Sequence, residues 1–194
     1  HHTDRAMNCA LLLDRMLIST ATASRSESLW LPQKRAAMLA PVFDDAERLM
    51  QDFPHHYRCV ATANADQSQV HVASQGLADL TTDVPKEFGG PGDQWSPEAL
   101  LVAAVADCFV LTFRAIAAPS RVVWHALDCD ATGKLERINR TPQFTEIHLT
   151  VRISVPDDME EDKVLRVLKK AEDSCLVTNS LTATVHLNTE ITRQ

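Results

Sequence analysis

The sequence predicts an α+β domain that combines antiparallel strands with one long apolar helix. Three patterns carry that expectation. Short alternating runs at 57–63, 69–74 and 77–82, with turn residues between them, read as a meander. A long apolar stretch then opens on Ser96-Pro97-Glu98 and stops at Pro119. Two strand-like runs follow at 122–137 and 144–155, then an amphipathic run at 160–172 and a final strand at 181–191. The chain has 194 residues, enough for one domain and an appended segment.

Each element has a local reason. Residues 1–50 are read as an extension, mostly without pattern, in which Val42, Phe43, Ala46, Leu49, Met50 and Phe53 predict a helix over 42–53. The domain proper is expected over 55–194. Four of the five glycines fall at Gly76, Gly89, Gly90 and Gly92, so 88–93 must be a loop. Ser96 is a natural N-cap, Pro97 fits the first helical position, and Glu98 complements the helix dipole. That helix should run to about residue 118. It is apolar almost all round, which predicts burial on more than one side. From 147 to 155, Ile147, Leu149, Val151, Ile153 and Val155 alternate as a strand must, and Pro156 ends the run. Val164, Leu165, Val167, Leu168 and Ala171 give the next helix its inward face.

Composition narrows the function classes. A net charge of −7, without a basic block or arm, argues against a nucleic-acid partner. The longest uninterrupted apolar run, 99–106, is too short to span a bilayer, so no membrane association is expected. The apolar run at 9–13 is broken by Asp14 and Arg15 and does not read as a secretory signal. The five cysteines (Cys9, Cys59, Cys108, Cys129, Cys175) are odd in number and lack zinc-site spacing. Such a set points to a reducing compartment, the cytoplasm, and to transient thiol chemistry rather than structural disulfides. The eight histidines show no clustered spacing. His55 and His56 are adjacent, while His71, His125, His148 and His186 fall singly on predicted strands, so metal ligation is not expected. Trp95 and Trp124 are read as packing residues.

Two cysteines stand in distinctive settings. Cys108 lies in the apolar helix, within Ala106-Asp107-Cys108-Phe109. Cys175 follows the charged helix, within Ser174-Cys175-Leu176-Val177-Thr178-Asn179. A free cysteine in a helix core is most often a small apolar filler. If the fold joins these two, one thiolate can attack and the other thiol resolve.

The order of elements, with Phe88-Gly89-Gly90-Pro91-Gly92, Ser96-Pro97-Glu98, Asp107-Cys108-Phe109 and Ser174-Cys175-Leu176-Val177-Thr178-Asn179, resembles the OsmC/Ohr family of thiol peroxidases over about 57–191. The resemblance implies an OsmC-like fold whose sheets wrap a buried central helix in an intertwined homodimer. It implies that Cys108 is the peroxidatic thiol and Cys175 the resolving one. A hydroperoxide would be the substrate, organic before hydrogen peroxide, and a dithiol, of lipoyl type for example, the reductant. No metal, flavin or haem is implied.

The same resemblance places Glu98 in the active site, where it would position a basic residue. On one helix, however, ten residues separate Glu98 from Cys108 by ~15 Å. The chain departs from the family where an Arg of the early meander would stabilise the thiolate. That stretch, 63–71, contains none. Arg58, His71, Lys86 and Arg114 are alternative cations, none of them compelling. Two other readings stay open: a dimer that binds small apolar ligands with inert cysteines, which the missing Arg favours, and a thiol redox sensor without turnover.

Overall fold

The computed structural model describes residues 52–194. The expected helix over 42–53 lies outside the described residues except for Asp52 and Phe53, which are not helical. Residues 59–194 form one compact unit, an α+β arrangement of two separate three-stranded sheets and two main helices.

The first sheet is the expected meander, β1 (Val60–Ala63), β2 (Val70–Ala73) and β3 (Leu80–Thr82), all antiparallel. Its strands are short, and they pack on one another far more than on the rest of the unit. The loop after β3 holds a single 3-10 turn, Lys86–Phe88, which the sequence patterns did not reveal. Its base is tied shut. Thr82 bridges Trp95, and the Asp83 N–H donates to the Trp95 carbonyl at 2.9 Å. The buried Asp83 carboxylate accepts from the Ser68 hydroxyl at 2.9 Å and from the Val84 N–H at 2.7 Å. Within the loop, a Cβ on Gly90 would lie 1.7 Å from the Val84 carbonyl oxygen, so only glycine fits there. Trp95 itself is half exposed, which corrects the packing role expected for it.

Helix α1 (Pro97–Ala117) begins as its sequence requires. The Ser96 hydroxyl accepts from the Ala99 N–H at 3.2 Å, and Pro97 occupies the first turn. Only one stripe of it is buried: Val105, Phe109, Phe113 and Ala117, spaced at four residues. Burial on several sides, expected from the all-round apolar pattern, is therefore not achieved within one chain. Leu111, for example, is half exposed. By length and composition α1 could cross a membrane, contrary to the reading based on residues 99–106 alone. That reading counted an uninterrupted run, whereas a helix also carries its apolar character past Asp107 and Arg114. The stripe that packs on the chain's own core is the mark of a core helix.

The second sheet packs on α1. β4 (Ala126–Ile138) and β5 (Thr141–Val155) form a long antiparallel hairpin, bulged between Lys134 and Leu135. Asn139 and Arg140 turn it with positive φ, 49° and 72°. Helix α2 (Glu161–Ser174) crosses back and buries Val164, Val167, Leu168 and Ala171. A four-residue helix, α3 (Leu176–Asn179), follows directly, and β6 (Thr184–Arg193) then joins β5 in parallel. Ile147, Leu149, Val151, Ile153 and Val155 of β5 meet the α1 and α2 stripes in one core. Trp124 joins it edge-on to Phe113, with ring centroids 5.6 Å apart, as its packing role required. Filling that core at the usual coefficient of about 25 cal/mol per Å² makes it the main source of stability.

Candidate active site

Cys108 sits midway along α1, on the turn before Thr112, whose hydroxyl is 4.0 Å from the sulfur. It lies between Val105 and Phe109, which face the core, and Asp107, which faces out, so its thiol is partly exposed. Cys175 occupies the joint where α2 ends and α3 begins, with an extended backbone (φ −67°, ψ 115°). The joint is held from both sides. The Cys175 N–H donates to the Glu172 carbonyl at 3.2 Å, and the Asn179 N–H donates to the Cys175 carbonyl at 3.0 Å. The Asn179 amide also donates to the Asp173 carbonyl at 3.1 Å, and the Thr178 hydroxyl donates to the Cys175 carbonyl at 3.1 Å. The residues that follow Cys175 in the motif thus serve to fix its position.

The fold brings the two thiols together, although 67 residues of sequence separate them. They are near enough for Cys108 to act on the Cys175 thiol. Burial is the main influence on Cys175 and pushes its thiol above the ordinary value. The hydroxyl and N–H of Thr178 counter part of that rise, and Cys108 adds to it. Cys175 is fully buried, so of the pair only Cys108 meets solvent.

A third thiol stands nearby, which the sequence reading did not single out. Cys129 points from β4 toward the core, and its thiol is pushed up to about 11. Burial is the largest cause, followed by the flanking Asp128 and Asp130 and then Cys175. Such a group remains protonated near neutrality and is a poor nucleophile. No local motif marks Cys129; only the pairing of β4 beneath the helices places it there. Cys59, by contrast, is exposed.

Glu98 lies in the first turn of α1, ten residues from Cys108 on the same helix. Its Oε2 is buried with no hydrogen-bond partner among the described residues. A buried carboxylate oxygen normally has a donor, so this atom is an acceptor awaiting one. In the stretch 63–71 the structure shows a tight turn, with the Gln67 N–H donating to the Asn64 carbonyl at 3.2 Å, and β2 beginning at Val70.

Comparison with known proteins agrees with this architecture. The family model for OsmC-like proteins matches residues 90–190, the segment that holds both thiols, and the chain belongs to that family. YmaD of Bacillus subtilis is 24% identical over 139 residues, covering 70% of this chain and 93% of that protein. An organic hydroperoxide resistance protein of Xanthomonas axonopodis pv. citri is 29% identical over 126 residues, covering 64% and 86%. Among solved structures, an OsmC-like protein of unknown function from Vibrio cholerae superposes with a TM-score of 0.64 at 17% identity, covering 72% of this chain and all (100%) of that one. An organic hydroperoxide resistance protein from Elizabethkingia anophelis gives 0.60 at 19% identity, covering 74% and 100%. These structural likenesses establish the OsmC-like fold.

Proposed function

We propose that this protein reduces organic hydroperoxides through Cys108, with Cys175 as the resolving thiol. The single observation that carries the proposal is the juxtaposition of a solvent-reachable thiol with a buried one across the α1 and α2–α3 surfaces. The relatives named for organic hydroperoxide resistance support the choice of substrate.

The chemistry balances with these two groups and an external dithiol. The Cys108 thiolate attacks the terminal peroxide oxygen, the O–O bond breaks, and the alkoxide leaves and takes a proton to become the alcohol. Cys108 is then a sulfenic acid. The Cys175 sulfur attacks the Cys108 sulfur, a disulfide forms and water departs. A dithiol reductant, itself oxidised to a disulfide, returns both thiols by exchange.

The assembly that would perform this is a homodimer. The sheet β1–β3 exposes Val60, Leu80 and the adjoining Val84 and Phe88, and it packs little on its own chain. A three-stranded sheet this short needs a covered apolar face. The uncovered side of α1 offers one, and two copies can satisfy each other. The orphaned Glu98 oxygen would find its donor in the same contact.

The test is repeated turnover. With excess dithiol, Cys108→Ser should abolish loss of cumene hydroperoxide. Without dithiol, Cys175→Ser should consume about one equivalent and hold Cys108 as sulfenic acid by mass, with a second equivalent taken up where sulfinic acid appears. A second reading, a dimer that binds small apolar ligands with its cysteines inert, is favoured by the lack of an Arg in 63–71. It predicts no loss of peroxide from the unaltered protein while both thiols remain titratable.

A further inference from the structure

The solvent side of the second sheet carries a cluster that the thiol chemistry does not use. The parallel register of β5 and β6 sets His148 beside His186, and Glu146 lies two residues before His148 on the same face. His148 Nε2 is 2.9 Å from Glu146 Oε2, and His186 Nε2 is 3.9 Å from the same oxygen. The imidazoles stack with centroids 4.7 Å apart and planes inclined by 16°, so the rings stand side by side above the sheet. All three donor atoms lie within 4.8 Å of one another. The scattered placement expected of these histidines does not hold for this pair. Strand register, which no local spacing reports, brings them together.

We propose that Glu146, His148 and His186 form a binding site for a divalent transition-metal ion of the zinc type. Two imidazole nitrogens and one carboxylate oxygen are a donor set that zinc accepts, with a fourth position left to water. Donors at about 2.1 Å from a tetrahedral ion stand ~3.4 Å apart, and the two distances to Glu146 bracket that value. Rotation about χ2, a soft torsion in histidine, suffices to converge the ring nitrogens. Glu146 is already oriented. Its Oε1 accepts from Lys134 Nζ at 2.9 Å, which leaves Oε2 turned to the histidines, as an outer partner orients a metal-binding carboxylate. Lys134 also pairs with Glu136 at 3.1 Å. The two carboxylates outweigh the single ammonium, so the local charge attracts a cation. The ion would join β6, which among the described residues pairs only with β5, to that neighbour.

The test uses the whole chain and metal alone. Equilibrium dialysis against Zn²⁺ should show one ion per chain that His148→Ala and His186→Ala each weaken by tenfold or more. His125→Ala, at an exposed histidine outside the cluster, should retain it. Co²⁺ should give ligand-field absorption without a thiolate-to-cobalt charge-transfer band, lost in both variants. Zn²⁺ should raise the Tm of the unaltered protein and not of the variants, whose metal-free Tm stays near the original because all three side chains are substantially exposed. Equal zinc uptake by the unaltered protein and both variants would overturn the proposal, placing the metal on other histidines or on thiols. So would no uptake at all, or a cobalt spectrum dominated by thiolate charge transfer.

Discussion

Cys175 is the residue on which the timing of the proposed reaction turns. Its thiol lies above the ordinary value, chiefly through burial, so near neutrality it keeps its proton. Resolution needs its thiolate, and a raised pKa delays that thiolate to higher pH. Disulfide formation after one equivalent of peroxide should therefore quicken steadily as pH climbs from 7 to beyond 9. Acid quench and mass analysis of the Cys108–Cys175 crosslink would measure it, and a flat profile would contradict the assignment. Local motifs made these two cysteines legible in the sequence, because each sits among residues that build its own turn of backbone. Cys129 and the His148–His186 pair were illegible for the opposite reason. Each owes its neighbours to strand register, which depends on residues dozens of positions away.

At the scale of elements, the sequence announced what local chemistry controls. Ser96, Pro97 and Pro119 bound α1 within a residue of its observed end, and the β5 alternation became the buried face of the sheet. The 3-10 turn Lys86–Phe88 and the short α3 were missed because a single turn is too short to repeat a hydrophobic period. The start of β4 was placed four residues early because Val122 is buried without pairing, so apolar character ran ahead of the ladder. The Gly-rich loop has a stricter requirement than turn propensity alone. Gly90→Ala would drive a methyl into the Val84 carbonyl, a backbone atom that cannot swing aside. We expect a loss of about 1–3 kcal/mol in chemical denaturation, as for other overpacked sites. An unchanged midpoint would mean that the loop relaxes without cost.

The whole molecule is where one chain falls short of its own sequence. An apolar helix with a single buried stripe, and a small sheet with little packed on it, are the features from which the homodimer is proposed. Sedimentation at micromolar concentration should show a dimer. Leu111→Asp, on the half-exposed face of α1, should shift it to monomer while leaving the far-ultraviolet spectrum largely intact if the large sheet folds alone. A stable monomer of the unaltered protein would refute the dimer. The all-round apolar pattern of α1 is the sequence feature behind this expectation.

The parallel seam between β5 and β6 also sets an order of events during folding. The β4–β5 hairpin closes through a two-residue turn, whereas β6 reaches β5 only after the intervening α2 and α3 have crossed back. Loop-closure entropy is paid early for the first pairing and late for the second. Truncations of buried side chains on β5 should therefore slow refolding, as Ile147→Val would by removing a contact already formed at the barrier. Val185→Ala on β6 should leave the refolding rate nearly unchanged and speed unfolding. Stopped-flow rates for the two variants would reveal whether the chain's final strand is also the last to arrive.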